Sequence, residues 1–212
     1  MCVSDSSRYS RNGKAAWETD AFLLTERLAL RAFTGDEAEV DALVALDADP
    51  EVMRFLTGGK PTPREEVVSR QLPRLLHRYP CTGLPGFWAA LGRERGDFLG
   101  WFELRPLAEE SAAVLELGYR LRRSVWGGGL ATEGSRALVR AAFTRLGAER
   151  VTANTMAVNA ASRRVMEKAG LSFVRQYTED WPEPIPGSEH GEVEYAVTRE
   201  EWLRRAGAGA RP

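Results

Sequence analysis

The chain has 212 residues, 43% of them hydrophobic and 28% charged, and its 29 basic and 30 acidic side chains leave a net charge of −1. These values fit one globular domain with a packed core and exclude a mainly disordered chain, and the near-neutral balance argues against a dedicated nucleic-acid-binding protein. The sequence has no apolar run of about 18 residues and no apolar signal-peptide core, so we expect a cytoplasmic protein without membrane partners.

The first half of the chain is predicted to hold one strand, two helices and three further strands. Residues 1–22 have the composition of a flexible tail, so we place the domain at 23–205 and a second flexible tail at 206–212. Alternating polar and apolar residues predict strands, and apolar residues at helical spacing predict helices. These patterns predict strands at 27–33, 87–91, 98–104 and 112–121, and helices at 37–47 and 63–72.

The second half begins at three consecutive glycines, Gly127 to Gly129. The elements predicted after them are a helix at 130–146, a strand at 150–156, a helix at 159–168, and strands at 171–177 and 193–198. The complete order β-α-α-β-β-β-α-β-α-β-β is neither a strict βαβ alternation nor a β-sandwich. It predicts a mixed α/β fold.

The three glycines are the first motif with a chemical meaning. Consecutive glycines lose much conformational entropy on folding, so they are favoured where a ligand must approach the main chain closely. They precede a helix, whose unpaired N–H groups and positive dipole end favour a phosphate. The spacing fits neither the G-x-G-x-x-G dinucleotide fingerprint nor a P-loop. The alternative is a loop without a ligand, beside arginines on a solvated helix face.

The charge distribution favours an anionic ligand near the same motif. Residues 122–168 carry nine basic and three acidic side chains, a local charge of +6, so the rest of the chain carries −7. The small net charge of the whole chain therefore hides a basic region around the glycines.

Several segments are informative as an ordered set. Trp126 to Ala131 reads Trp-Gly-Gly-Gly-Leu-Ala and occupies the acetyl-CoA-binding pattern Gln/Arg-x-x-Gly-x-Gly/Ala, with tryptophan at the first position. Gly118-Tyr119 stands ahead of it, and two segments follow it, Asn159 to Gly170 and Tyr195 to Trp202. Over about residues 24–202 the chain resembles the GNAT acyltransferases, in particular their RimJ/RimL-like branch.

The resemblance implies a fold and a cosubstrate. The fold is a central, mostly antiparallel sheet with helices on both faces, splayed between its fourth and fifth strands, 112–121 and 150–156. The pantetheine arm of acetyl-CoA enters this opening and pairs with the main chain of Leu121, and the pyrophosphate lies on the glycine turn. Asn159 reaches the pantetheine arm, with a helix N-cap as its alternative role. The implied acetyl-CoA contacts are Tyr119, Leu121, Trp126, Gly127, Gly128, Gly129, Leu130, Ala131, Thr132, Asn159 and Ser162.

The resemblance also implies direct transfer of the acetyl group to a primary amine. Because the amine must be neutral to attack, we expect a base, with Glu116 as first choice and Glu103 as second, or a water relay. Ser162 is the expected proton donor to the departing thiolate, because Met166 occupies the position of the family's usual tyrosine and cannot donate. An ordinary structural contact is the alternative role for each of Glu116, Glu103 and Ser162.

The cysteine and histidine residues do not indicate a disulfide framework or a metal site. Cys2 and Cys81 are too few for a disulfide framework or a Cys-rich zinc site, and His77 and His190 are far apart in the sequence. We therefore predict no metal site.

Two functional hypotheses remain. The first is an acetyl-CoA-dependent N-acetyltransferase acting on a small-molecule amine or a protein N-terminus, as a monomer or homodimer. The second is a catalytically inactive CoA-binding sensor or interaction module. The acids Glu103 and Glu116, together with Ser162, favour the enzyme. Acceptor selectivity is expected to lie in residues 36–79 and in the loop at 180–190.

Overall fold

The computed structural model describes residues 19–178 and 183–208. The strands within these ranges are β1 (Ala21–Leu24), β2 (Leu28–Arg31), β3 (Arg78–Tyr79), β4 (Leu84–Pro85), β5 (Phe87–Gly92), β6 (Phe98–Ala108), β7 (Ser111–Leu121), β8 (Arg150–Met156), β9 (Ser172–Tyr177) and β10 (Glu192–Thr198). The helices are α1 (Glu37–Asp47), α2 (Pro50–Thr57), α3, α4 (Leu130–Thr144), α5 (Ala160–Lys168) and α6 (Arg199–Ala208). Helix α3 joins Arg64–Glu66, the π-helical turn Val67–Gln71 and Leu72–Leu76.

Eight of these strands form one sheet in the order β1-β2-β5-β6-β7-β8-β10-β9. Neighbouring strands are antiparallel except β7 and β8, which run parallel. The register of β7 and β8 runs from Val114–Arg150 to Glu116–Thr152 and does not extend to the end of either strand. The two strands therefore diverge beyond Glu116, and we call the opening the wedge. The predicted mixed α/β, mostly antiparallel fold is confirmed.

Helices cover both faces of the sheet, as predicted. On the first face α4, α5 and α6 pack over the sheet, and the Phe143 and Trp202 ring centroids lie 5.5 Å apart. On the second face α1, α2 and α3 bury Phe87, Ala89 and Trp101. Because each buried large apolar side chain contributes about 1.5–3 kcal/mol, these two layers hold the sheet between the helices.

Strand β7 divides its side chains between the two faces. Leu115, Leu117 and Leu121 are buried in the first-face core, and Tyr119 packs against it. Glu116 and Arg120 point to the second face, because neighbouring residues of a strand alternate. Glu116 therefore lies on the face opposite Tyr119, as the sequence pattern predicted.

Helix α2 was not predicted, although its ends carry clear signals. Asp49 caps it by accepting a hydrogen bond from the Glu51 N–H at 2.9 Å, and Pro50 occupies its first turn. Gly58 ends it with φ +68°, a left-handed conformation that favours glycine. The helix has eight residues, so its apolar stripe is too short for helical spacing to predict it.

Two further elements lie close to the predicted domain boundaries. Strand β1 begins at Ala21, two residues before the predicted start of the domain, and α6 continues past Arg205 to Ala208. The rest of both predicted tails, residues 1–18 and 209–212, lies outside the described residues. Within the described ranges no helix is long and apolar enough to cross a membrane.

The π turn of α3 has a local cause. Pro73 has no N–H to donate to a helical carbonyl, and just before it the Leu72 N–H donates to the Val67 carbonyl, five residues back. The helix continues through Pro73 to Leu76. This course brings the Arg74 guanidinium to 4.8 Å from the Phe87 ring and to 3.3 Å from the Glu103 carboxylate.

Candidate functional site

A cavity of about 770 Å³ occupies the wedge and extends beneath α2. Its walls are the ends of β7 and β8, the glycine turn with the first turn of α4, helix α5, helix α2, Tyr177 and Glu192. We call the part lined by α2, Arg120, Asn154, Tyr177 and Glu192 the α2 chamber. The cavity thus connects a helix N-terminus on the first face with a chamber on the second face.

The glycine turn brings bare main chain to the edge of this cavity. Gly127 and Gly129 have φ of +74° and +81°, the left-handed region in which a side chain is strained. Gly129 is the N-cap of α4 and supplies no side-chain cap for the first N–H groups of the helix. The predicted acetyl-CoA contacts here that line the cavity are Trp126, Gly127, Gly129, Leu130, Ala131 and Thr132. Gly128 is not among its lining residues.

Arg27 and Glu133 hold the glycine turn from behind. Arg27 Nη1 donates to the Gly128 carbonyl at 2.8 Å, and Arg27 Nε donates to Glu133 at 2.7 Å. Glu133 also accepts from the Arg27 N–H and from the Thr25 hydroxyl. Burial alone would raise the pKa of Glu133, but these hydrogen bonds and the guanidinium charge hold it below its usual value. The turn is therefore fixed to the β1–β2 connection by a carboxylate.

Basic side chains gather beside the turn, as the local charge predicted. Arg164 and Lys168 of α5 line the cavity. Lys168, Arg136 and Arg27 also line a shallow neighbouring depression of about 650 Å³. A polyphosphate on the glycine turn would lie within this positive field.

Tyr119 and Ser162 meet across the wedge. Their hydroxyl oxygens lie 2.9 Å apart, and the Tyr119 hydroxyl is also 3.0 Å from the Ser162 carbonyl. Burial raises the pKa of Tyr119 to about 12, so the phenol keeps its proton at neutral pH. Asn159 caps α5 by accepting from the Ser162 N–H at 3.1 Å, and it also lines the cavity. The two roles weighed for Asn159 are thus compatible.

The carbonyl of Leu121 accepts a hydrogen bond within the protein. The indole N–H of Trp126 donates to it at 2.9 Å, across the short 3₁₀ turn Arg123–Val125. A carbonyl oxygen has two lone pairs, so this bond leaves room for one further donor. A pantetheine arm bound at Leu121 would share this carbonyl with Trp126 or displace the indole.

Glu116 and Glu103 lie together on the second face of the sheet. They are not among the described residues that line the cavity. Arg105 donates to both carboxylates, through Nη2 to Glu116 and through Nε to Glu103. Burial raises the pKa of Glu103, and the charge of Glu116 raises it further, against the opposing effect of Arg74 and Arg105. Glu116 reaches the cavity wall only through Asn154, whose Nδ2 donates to it at 3.3 Å.

The α2 chamber contains a carboxylate that sequence reasoning missed. Glu192 is 6% exposed and lines the cavity, at the first position of β10. It pairs in register with Met156 of β8 and Tyr177 of β9. Glu192 follows Gly191 in a short segment that carries no motif, and the sheet topology brings it beside the wedge.

A buried ion pair ties α2 to the sheet. Arg120, which lines the cavity, donates to the fully buried Asp47 at 2.6 Å and stacks 5.0 Å above the Trp101 ring. Asp47 ends α1 two residues before the cap of α2. The pair thereby anchors the end of α1 to the sheet, next to the start of α2, which lines the α2 chamber.

The loop before β10 packs against the turn that follows α2. A Cβ on Gly58 would lie 3.2 Å from the Ile185 side chain, and Lys60 forms an ion pair with Glu183 at 3.1 Å. Of the two segments expected to select the acceptor, the first lines the cavity through α2, and residues 183–190 of the second are not among its lining residues. Residues 180–182 of the predicted selectivity loop lie outside the described residues. Among the described side chains no group of three His, Cys, Asp or Glu residues could hold a metal ion.

Comparisons with known proteins point to one family. The sequence model of the acetyltransferase (GNAT) domain matches residues 27–172. The chain is 41% identical over 165 residues to the FsC-acetyl coenzyme A-N(2)-transacetylase of Aspergillus fumigatus, covering 75% of this chain and 69% of the relative.

Solved structures extend the likeness to the fold. A GNAT-family acetyltransferase from Bacillus anthracis superimposes with a TM-score of 0.67 at 19% identity, over 84% of this chain and 98% of that one. The spermidine N-acetyltransferase of Vibrio cholerae, solved with CoA and spermine, gives 0.66 at 14% identity, over 84% and 99%. At these identities the likeness concerns the architecture alone.

Proposed function

The chain belongs to the acetyltransferase (GNAT) family, and on that premise we propose that it transfers an acetyl group from acetyl-CoA to a primary amine. The observation that carries the proposal is the continuous cavity from the glycine turn to the α2 chamber. In this proposal the phosphate-bearing cosubstrate and the acceptor occupy the two ends of the cavity at the same time, and transfer is direct, without an acetylated enzyme. The RimJ/RimL-like branch and a cytoplasmic location belong to this proposal, on the sequence motifs and the scarcity of cysteine.

Acetyl-CoA binds along the first face in this proposal. Its pyrophosphate lies on the N–H groups from Gly127 to Thr132, where the helix dipole and Lys168 favour negative charge. Its pantetheine arm follows the wedge past Leu121 to Asn159. The thioester then lies at the junction with the α2 chamber, close to Tyr119 and Ser162.

The reaction needs a neutral amine, a stabilised carbonyl oxygen and a protonated leaving thiol. A main-chain N–H near Leu121 stabilises the charge that develops on the thioester oxygen. The Ser162 hydroxyl, bonded to Tyr119, gives a proton to the CoA sulfur. The high pKa of Tyr119 supports this assignment, because the pair carries its protons at neutral pH.

The acceptor amine must lose a proton to a base before it attacks. Glu116 stays our first sequence-based candidate and Glu103 the second. Their bonds to Arg105, and the interposed Asn154, favour a role for Glu116 in holding the chamber wall. Proton removal by Glu116 would need a water between it and the acceptor.

The Aspergillus relative supports a small-molecule acceptor. Its name assigns transfer to a nitrogen, N(2), of FsC. We propose an acceptor of this kind, a primary amine on a molecule that fits the α2 chamber, over a protein N-terminus. The proposal applies equally to a monomer and to a homodimer.

The test is release of CoA from acetyl-CoA in the presence of FsC, spermidine, kanamycin and N-terminal peptides, together with calorimetric titration of CoA. We expect CoA binding and turnover with at least one amine, fastest with FsC or another small molecule. Binding of CoA without turnover in the whole panel would support the alternative, a catalytically inactive CoA-binding sensor. Absence of CoA binding would contradict both.

A further inference from the structure

Glu192 lines the α2 chamber with a side chain that is buried in the fold, 6% exposed. We propose that its carboxylate binds the acceptor amine as an ammonium ion and takes the proton that the amine must lose before attack. This inference rests on the proposed acetyl transfer, and it names the group that recognises the acceptor.

The strand register directs the Glu192 side chain to the acceptor side of the sheet. Val193, Tyr195 and Val197 of β10 are buried in the first-face core. Side chains of a strand alternate, so Glu192 points to the second face. That is the face covered by α2, and on it Asn154 also lines the cavity.

The acids near the wedge differ in what they can reach. Among the described residues that line the cavity, the carboxylates are those of Glu51 and Glu192. The Glu51 side chain is 45% exposed at the rim and lies 4.0 Å from Arg54. Glu103 and Glu116 lie behind the wall, bonded to Arg105. Among the described residues that line the cavity, Glu192 is therefore the acid with a buried side chain.

Burial gives this carboxylate a strong preference for a cation. A buried carboxylate that meets an ammonium group forms a charge-assisted hydrogen bond, which is shorter and stronger than a neutral one. The same site discriminates against a hydroxyl, which carries no charge. The opposite wall from α2 offers Val52, Phe55 and Leu56. The acceptor class is thus a primary amine attached to an apolar or methylene segment.

The chemical step balances with these groups. The ammonium form of the acceptor transfers one proton to Glu192, and the lone pair of the neutral nitrogen attacks the thioester carbonyl carbon. The C–N bond forms, the C–S bond breaks, and the CoA sulfur takes a proton from the Ser162–Tyr119 pair. The second proton of the attacking nitrogen restores that pair, and Glu192 returns its proton to solvent. The products are the amide, the CoA thiol and one released proton.

The experiment compares Glu192→Gln with Glu51→Gln, which removes the rim carboxylate of the same cavity. FsC and spermidine are the amine probes, each with an analogue that carries a hydroxyl in place of the amine. Calorimetry on the CoA complex measures binding of each probe, and CoA release measures turnover. Because hydrogen bonds to charged groups are worth about 1.5–3 kcal/mol, Glu192→Gln should weaken amine binding about 10- to 100-fold.

The same variants and probes give three further expected results, on turnover, on the preference for amine over hydroxyl, and on CoA binding. Turnover with the amine should fall more than 100-fold in Glu192→Gln. Glu51→Gln should have a smaller effect on binding and turnover, less than about tenfold, because solvent screens a charge at the exposed rim. The preference for amine over hydroxyl should disappear in Glu192→Gln. The Kd for CoA should stay within about twofold of the wild-type value. If Glu192→Gln does not fold, Glu192→Asp keeps the charge and should retain the amine preference with weaker binding.

The outcomes separate the two proposals. Amine binding and turnover within threefold of wild type in Glu192→Gln would overturn the role of Glu192 and leave acetyl transfer standing. If the wild type binds an amine but does not turn it over, and Glu192→Gln loses that binding, acetyl transfer is overturned and amine recognition stands. Failure of the wild-type CoA complex to prefer either amine to its hydroxyl analogue would overturn the proposed recognition by Glu192.

Discussion

The hydroxyl oxygens of Tyr119 and Ser162 lie 2.9 Å apart and join β7 to α5 across the wedge. Tyr119 comes from strand β7, which ends at the wedge, and Ser162 comes from helix α5, which begins after β8. Neither hydroxyl can move far, because Tyr119 packs in the first-face core and the Ser162 main chain is capped by Asn159. In the proposed reaction this pair is the proton source for the departing CoA sulfur.

Removing either hydroxyl should slow the departure of the thiolate. We expect Ser162→Ala and Tyr119→Phe each to lower kcat about 10- to 100-fold, within the range of general acid catalysis. The double variant should lose little more than either single one, because the two groups act as a unit. The loss should shrink above about pH 8.5, the usual pKa of a thiol, since the thiolate then needs no donor. A loss that stays constant from pH 7 to 9.5, or weaker CoA binding, would instead indicate a structural role.

The backbone of Gly129 should be essential for CoA binding. A Cβ there meets no close protein atom, with Arg27 Nη2 at 3.6 Å, so the cost of Gly129→Val comes from its φ of +81° and from the blocked phosphate site. We expect a rise of more than 100-fold in the Kd for CoA, measured by calorimetry. Gly83→Val is the matched control, because Gly83 has φ +66° and an open surround in the β3–β4 turn. It should show a similar loss of stability with unchanged CoA binding, and equal Kd effects would contradict the placement of the phosphate.

Local pattern explains which parts of the fold and site the sequence could predict. The alternation of Leu115, Leu117 and Tyr119 predicts both the strand and its faces, and Gly127 to Gly129 predict the helix N-terminus and its ligand. The ion pairs of Arg105 are invisible in the sequence, because they depend on the register that sets Arg105 opposite Glu116. Glu192 was missed for the same reason, since its burial comes from β8 and β9 on either side.

Glu116→Gln tests the base predicted from sequence. Glu116 contacts Arg105 and Asn154 and does not line the cavity, so we expect kcat to fall less than about tenfold, with the larger change in KM for the acceptor. Glu192→Gln, assayed in parallel with the same amine, should fall more than 100-fold. The reverse order, with an acidic limb of the pH profile lost in Glu116→Gln, would restore Glu116 as the base acting through water.

Glu133 should make folding sensitive to acid. Its pKa is lowered in the folded protein, so it contributes stability above its unfolded pKa, and this contribution is lost as pH falls through the folded value. Solvent screens the pair because Arg27 is half exposed, so we expect Glu133→Gln to lower the free energy of unfolding by about 1 kcal/mol at pH 7. Urea denaturation between pH 7 and 3 should show the difference between wild type and variant shrinking below about pH 4.5.

Arg27→Met provides the control for this acid dependence. It removes the guanidinium donor and its charge while leaving the Thr25 hydroxyl and the Arg27 N–H on the Glu133 carboxylate. The pKa of Glu133 should rise towards its unfolded value in this variant, so the acid-side loss of stability should be smaller than in wild type and should be complete at a higher pH. Because the Arg27 side chain also holds the Gly128 carbonyl, CoA binding should weaken in Arg27→Met more than in Glu133→Gln. A stability difference between wild type and Glu133→Gln that persists unchanged to pH 3 would refute the lowered pKa.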